Sequence, residues 1–283
     1  MKRIVLLLII SSLLLTGCSF KANKLDDATI YTTIYPTKYI MEYLYGENST
    51  IESIYPNGVN LKEYSLTDKQ IDNYSKGDLF VYMGVGNEKE IAKSLVNKNH
   101  DILIIDATYG LSSNNYEELW LAPNNFTMLL NNVKDSLNEY LNNAVKEDLV
   151  NKKYDELYTK VSWLDAEFRN IAKNARANDK YTIVVSSHGF DFLKGYGFNI
   201  ICLEDVSTSE NALNDLKNKF KNSTYTNILK LNGEEETELM KELNTKYKAN
   251  IVSINDLITN NDSASDYVSI QYENIAIIRD ILK

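Results

Sequence analysis

The sequence predicts an α/β protein of two lobes, each a mostly parallel four-stranded sheet flanked by helices, the two joined by a long rigid helix. Three observations predict it. Short β-rich runs alternate with helix-period segments, the pattern of parallel βαβ units covered on both faces. These runs fall into two sets of four, separated by a long stretch with no strand signal. Setting aside an N-terminal export signal leaves 266 of 283 residues, long for one core and suited to two.

The signal comes first in the chain. Lys2 and Arg3 precede an apolar run from Ile4 to Leu15, interrupted only by Ser11 and Ser12, and then Leu15-Thr16-Gly17-Cys18. A basic start, a short apolar stretch and small residues at the cut describe an export signal. The run is too short to cross a hydrocarbon core of ~30 Å permanently. Its ending resembles the bacterial lipobox, which implies cleavage before Cys18 and lipid on the Cys18 sulfur. Residues 1–17 are therefore expected as signal peptide and 18–27 as a lipidated, polar tether.

The N-terminal lobe is expected over 28–124. Its strand candidates are Thr29–Ile34, Ile51–Tyr55, Leu79–Tyr82 and Ile102–Ile105. Thr67-Asp68-Lys69-Gln70 reads as a capping box opening a helix. A linking helix is expected over 125–147, from Phe126, Leu129, Leu130, Val133, Leu137, Tyr140, Leu141 and Ala144 at spacings of three and four. The C-terminal lobe is expected over 148–283. Its first helix carries Tyr154, Leu157, Val161, Leu164, Phe168, Ile171 and Ala175 on one stripe. Its strand candidates are Tyr181–Val185, Asn199–Leu203, Asn227–Leu231 and Asn250–Ile254. Glu234, Glu235 and Glu236 read as a solvated helix start favoured by the helix dipole.

Charge narrows the function. Losing Lys2 and Arg3 from 30 basic residues against 39 acidic ones leaves a mature net charge of −11. That disfavours nucleic acid, whose binding needs Lys and Arg to displace phosphate counterions. With Cys18 lipidated, Cys202 has no disulfide partner, and its run Ile200-Ile201-Cys202-Leu203 reads as core. Ser186, Ser187 and His188 adjoin, but adjacent residues rarely face each other as nucleophile and base. No Gly-x-Ser-x-Gly elbow accompanies them, and no enzyme activity is expected. His100 falls in a surface turn.

Landmarks along the chain carry a family resemblance. They are Thr32-Thr33-Ile34-Tyr35-Pro36, Tyr55-Pro56-Asn57-Gly58-Val59 with Tyr64, and Asp78-Leu79-Phe80-Val81-Tyr82-Met83-Gly84. Further on come Trp120-Leu121-Ala122-Pro123-Asn124, Ser187-His188-Gly189-Phe190 with Tyr196-Gly197-Phe198, and Asp266-Tyr267. In this order the chain resembles the manganese- and zinc-binding solute-binding lipoproteins of ABC importers, from about Ala28 to Lys283. The resemblance implies two α/β lobes bridged by a helix and a divalent ion, Mn or Zn, in the cleft. It also implies an ABC permease with its ATPase as partners, and a monomer held by lipid on the outer face of the bacterial cell membrane.

The resemblance implies four ligand positions, and this chain departs from the family at three. Lys62 stands where the family has its first His, and an ammonium has no lone pair to offer. Glu118 stands at the second position, His188 matches the third, and Asn255 aligns with the acidic fourth. Three outcomes are open. The site is rebuilt from neighbours, with Glu63 and Asp256 joining Glu118 and His188. Or Lys62 pairs with Glu118 and no metal binds. Or the cleft takes another ligand, a chelated metal or an anionic group. The alternative function is a divergent surface lipoprotein that has lost simple ion binding and acts as an accessory or adhesin-like partner.

Overall fold

The computed structural model describes residues 25–56, 61, 64–112, 115–260 and 264–283. The signal sequence, Cys18, Lys62 and Glu63 lie outside them. No helix among the described residues is long and apolar enough to cross a membrane.

All eight expected strands form. In the N-terminal lobe they are β1 (Ala28–Thr32), β2 (Ser49–Ser53), β3 (Leu79–Tyr82) and β4 (Leu103–Asp106). They hydrogen-bond in the order β2-β1-β3-β4, every pair parallel. In the C-terminal lobe, β5 (Thr182–Val185), β6 (Asn199–Cys202), β7 (Asn227–Leu231) and β8 (Asn250–Ile254) pair in the order β6-β5-β7-β8, again all parallel. The two halves thus repeat one topology that their sequences do not display. In each, the chain reverses its direction of travel across the sheet between the first and third strands, the switch point where open α/β sheets gather ligands.

Helices α1 (Tyr35–Tyr45), α2 (Asp68–Tyr74) and α3 (Glu88–Lys98) serve the first sheet. The capping box of α2 forms as expected: Gln70 N donates to Thr67 Oγ1 and Thr67 N donates to Gln70 Oε1 at 2.9 Å. Thr67→Ala should cost about 1 kcal/mol, read as a lower urea midpoint.

The expected helix over 125–147 is corrected. After a single turn, α4 (Glu118–Leu121), the chain forms α5 (Pro123–Tyr140) and then the 34-residue α6 (Ala144–Ala177). Leu141 is extended, and Asn143 starts α6 by accepting from Val145 N and Lys146 N. Helix α6 is about 50 Å long at 1.5 Å per residue. It packs against α1 and α5 on the N-terminal side. On the C-terminal side it meets α7 (Phe192–Tyr196) and α11 (Tyr267–Ile281). It is the long element between the lobes.

A second correction concerns the acidic run. The helix after β7 is α10 (Glu238–Tyr247), capped by Thr237, so Glu234 precedes it by a turn's length of loop and is half-buried. The outer face of the second sheet carries its own cluster, with Leu203, Leu216, Phe220, Ile228, Met240 and Leu243.

The lobes meet at Trp120, which is fully buried. Its indole Nε1 donates to the Asp256 carbonyl at 2.7 Å, and its own carbonyl accepts from Tyr267 Oη at 2.6 Å. Gln271 Nε2 donates to the Leu121 carbonyl at 3.0 Å and to Tyr267 Oη at 3.1 Å. The Tyr267 ring stacks on Phe126 with centroids 3.9 Å apart.

Candidate metal centre

Each lobe fills its own switch-point crevice with a glutamate. In the C-terminal lobe, Ser186 and Ser187 follow β5, and both hydroxyls donate to the Glu234 carboxylate. Leu231 N, at the end of β7, donates to Glu234 Oε2 at 3.0 Å. The carboxylate therefore bridges β5 and β7. In the N-terminal lobe, Glu88 is fully buried. Its Oε2 accepts from Met83 N at 2.7 Å and Val85 N at 3.3 Å, both just past β3. Thr33, just past β1, and Tyr55 face the same carboxyl. Burial pushes Glu88 up to about 7, against the pull of the backbone N–H groups.

His188 turns away from the C-terminal crevice. A 3-10 turn, His188–Phe190, starts after Ser187 and sends the imidazole toward the end of β6. Nδ1 lies 3.0 Å from Asp191 Oδ2, and Nε2 lies 3.0 Å from Asp205 Oδ1 and 4.0 Å from Glu204 Oε2. The His188 backbone N donates to Glu204 Oε2 at 3.2 Å. Asp191 is itself held by Lys194, 2.6 Å from its other oxygen. The hydrogen bond that the ring donates to Asp191, reinforced by Asp205, raises the imidazole pKa despite partial burial. Burial works against the Asp191 carboxylate, yet Lys194 and His188 hold its pKa below the ordinary value.

Cys202 completes the neighbourhood. It is the last residue of β6 and pairs in register with Val185 of β5. Its thiol is buried, as expected of a core residue, but Sγ lies 3.9 Å from Glu204 Oε2. Burial pushes this thiol's pKa up. Donor atoms of His188, Cys202 and Glu204 all lie within 4.8 Å of one another. Among the described residues, this is the one group of three or more His, Cys, Asp or Glu side chains with that proximity.

The other expected site residues stand elsewhere. Glu118 lines a depression of about 240 Å³ with Asp165, Arg169 and Tyr196. That depression already holds a cation, since Arg169 Nε lies 2.8 Å from Asp165 Oδ2. Asn255 Oδ1 accepts from Leu257 N at 2.8 Å, and the Asn255 backbone exchanges hydrogen bonds with Asn274. Asp256 is largely buried and accepts from Ile258 N at 3.0 Å. Burial raises its pKa, and the nearby Glu234 charge adds to this. Glu117, one residue before the expected Glu118, is the one that meets the His188 turn: its Cγ is 3.4 Å from where a Gly189 Cβ would sit.

The sequence reading thus selected His188 but not its neighbours Cys202, Glu204, Asp205 and Asp191. A signal existed in Cys202-Leu203-Glu204-Asp205, a thiol and two carboxylates at the C-terminal end of a strand, where α/β ligands gather. His100 is exposed in a turn, as expected.

The comparisons agree with this architecture. The Yersinia pestis iron-binding protein YfeA is 23% identical over 218 residues, covering 72% of this chain and 68% of that protein. The metal-dependent lipoprotein YcdH from Bacillus subtilis superposes with TM-score 0.73 at 20% identity, over 89% of this chain and 98% of that one. The zinc-bound ZnuA-like domain of Streptococcus pneumoniae AdcA does so with TM-score 0.71 at 20% identity, over 90% and 98%. Residues 30–281 match the family described as zinc-uptake complex component A, periplasmic (ZnuA). With nearly the whole described chain matched and the two-lobed parallel architecture in place, this chain belongs to the ZnuA family of metal-binding, solute-binding transport proteins and is not an enzyme.

Proposed function

We propose that this chain is a receptor anchored by lipid at Cys18 on the outer face of the cytoplasmic membrane. It binds a divalent transition metal, zinc rather than manganese, and hands it to the permease of an ABC importer driven by a cytoplasmic ATPase. His188 is the central ligand, through Nε2. One observation carries this reading: Asp191 holds Nδ1 from behind while Asp205 and Glu204 stand on the Nε2 side. A carboxylate behind a ligating imidazole fixes its tautomer and raises its basicity, as metal sites in proteins generally do. Nitrogen and mixed donors suit zinc better than manganese, which prefers oxygen throughout. The family's zinc-uptake description and the zinc-bound neighbour favour the same ion.

The filled crevices favour one position for the ion. With Glu234 occupying the β5–β7 switch point, the open donors lie one strand over, at β6. In this reading Asn255 shapes a turn, and Glu118 belongs to the Arg169 depression.

Zinc at 100 times its Kd should stabilise the protein by ~2.7 kcal/mol, a readable thermal shift. His188→Ala should weaken zinc binding at least tenfold, measured by competition with a chromophoric chelator. Unchanged affinity would remove His188 from the site.

A further inference from the structure

Cys202 is the feature this reading leaves unused. A thiol at a strand end beside an imidazole and two carboxylates differs from a thiol packed in a core. Its Sγ and the His188 Nε2 approach the same oxygen, Glu204 Oε2, at 3.9 and 4.0 Å. Around a tetrahedral zinc, donors at ordinary bond lengths stand about 3.4–3.6 Å apart. Glu204 is therefore within roughly half an ångström of that separation from both the thiol and the imidazole, and all three donors lie within 4.8 Å of one another. Asp205 Oδ1, 3.0 Å from Nε2, stands close enough to be a fourth donor. Glu204 and Asp205 are exposed carboxylates, whereas Cys202 is buried and the imidazole is held by Asp191.

We propose that the Cys202 thiolate is a metal ligand, so that His188, Cys202 and Glu204, with Asp205 as fourth donor, form a thiophilic-ion site built by the C-terminal lobe alone. This rests on the reading that His188 holds the ion. On binding, the Cys202 S–H bond and the His188 Nε2–H bond directed at Asp205 break, both protons leave to solvent, and the freed lone pairs on sulfur and nitrogen form the bonds to the metal. Sulfur in the set sharpens discrimination against manganese and magnesium, which favour oxygen donors. Building every donor from β5, β6 and the turns after them means that capture needs no closure of one lobe on the other.

Cobalt(II) is the probe that separates these claims, because cobalt bound to thiolate shows a near-ultraviolet charge-transfer band that cobalt bound to nitrogen and oxygen lacks. The full chain with Cys18→Ser leaves Cys202 as its sole thiol, since the sequence has two cysteines. Titration with cobalt should produce the band, zinc should abolish it stoichiometrically, and manganese at the same concentration should not. Adding Cys202→Ser should remove the band and weaken zinc at least tenfold while the circular dichroism melt stays cooperative. Cobalt binding that depends on His188 but shows no band in the parent chain would overturn the Cys202 assignment and leave the His188 reading standing. A band that survives Cys202→Ser would also overturn it. Failure to bind cobalt or zinc at all would overturn both.

Discussion

Trp120→Ala is expected to lower stability by about 3–5 kcal/mol, the range for removing a fully buried large aromatic. The loss has two parts. The first is the cavity left where the indole packed. The second is the Asp256 carbonyl, which loses its donor at 2.7 Å in a half-buried setting. Trp120→Phe separates them, because it keeps most of the apolar volume and removes only the N–H. It should cost about 1–3 kcal/mol, the usual penalty for a buried acceptor left unpaired. Urea unfolding monitored by circular dichroism reads both. An alanine variant within 1 kcal/mol of the parent would show that Trp120 does not hold the lobes together. Because the proposed donors all lie in the second lobe, Trp120→Phe should also leave zinc affinity within about threefold.

The second large effect concerns Glu88. Burial raises its carboxyl to about 7, from an ordinary 4.5. A folded-state pKa above the unfolded one means that the native protein holds the proton more tightly. Stability from this group is then fully present below about pH 4.5, declines as pH rises from there to about 7, and is flat above. At 1.36 kcal/mol per unit, the loss across that window is roughly 3 kcal/mol. Two tyrosines face this carboxyl. Tyr55 has its pKa raised first by burial and then by the Glu88 charge, and Tyr82 first by burial and then by Asp106, with Glu88 adding less. Neither tyrosine changes charge in the window. Thr33 Oγ1, Tyr55 Oη and Glu88 Oε1 are buried and meet no partner at hydrogen-bond geometry among the described residues. Glu88→Gln keeps the acceptor for Met83 N and Val85 N and fixes an N–H₂ donor in place of the proton. The stability difference between Glu88→Gln and the parent should therefore grow by about 3 kcal/mol in the variant's favour between pH 4.5 and 8. A difference that stays constant with pH would place the Glu88 pKa near that of an ordinary carboxyl.

The fold was legible because its signals are local. Eight apolar runs and the Thr67–Gln70 box lie within a few residues each, and all formed. The helix break at Leu141–Asn143 was also local in principle. Asn142-Asn143 ahead of an alanine is a capping signal, but the apolar stripe from Phe126 to Ala144 ran across it. The site was less legible because its geometry is set by contacts far apart in sequence. Ser187 and His188 are adjacent, and only the 3-10 turn decides which one faces the crevice. Glu234 looked like a solvated helix start, yet it lies 47 and 48 residues from the serine hydroxyls that it accepts from. The partners of His188 at Glu204 and Asp205 arrive through the next βα unit, 16 and 17 residues on. A motif match to His188 could not show that the imidazole turns toward β6 rather than toward the position of Asn255.

An anomalous difference map collected at the zinc edge from a zinc-soaked crystal tests the central claim most directly. The ion should appear once per chain at about 2.0–2.1 Å from His188 Nε2, beyond the ends of β5 and β6, with Glu234 still bridging Ser186 and Ser187. A zinc peak at the lobe junction, bonded to Glu118 or Asn255 and remote from His188, would contradict it.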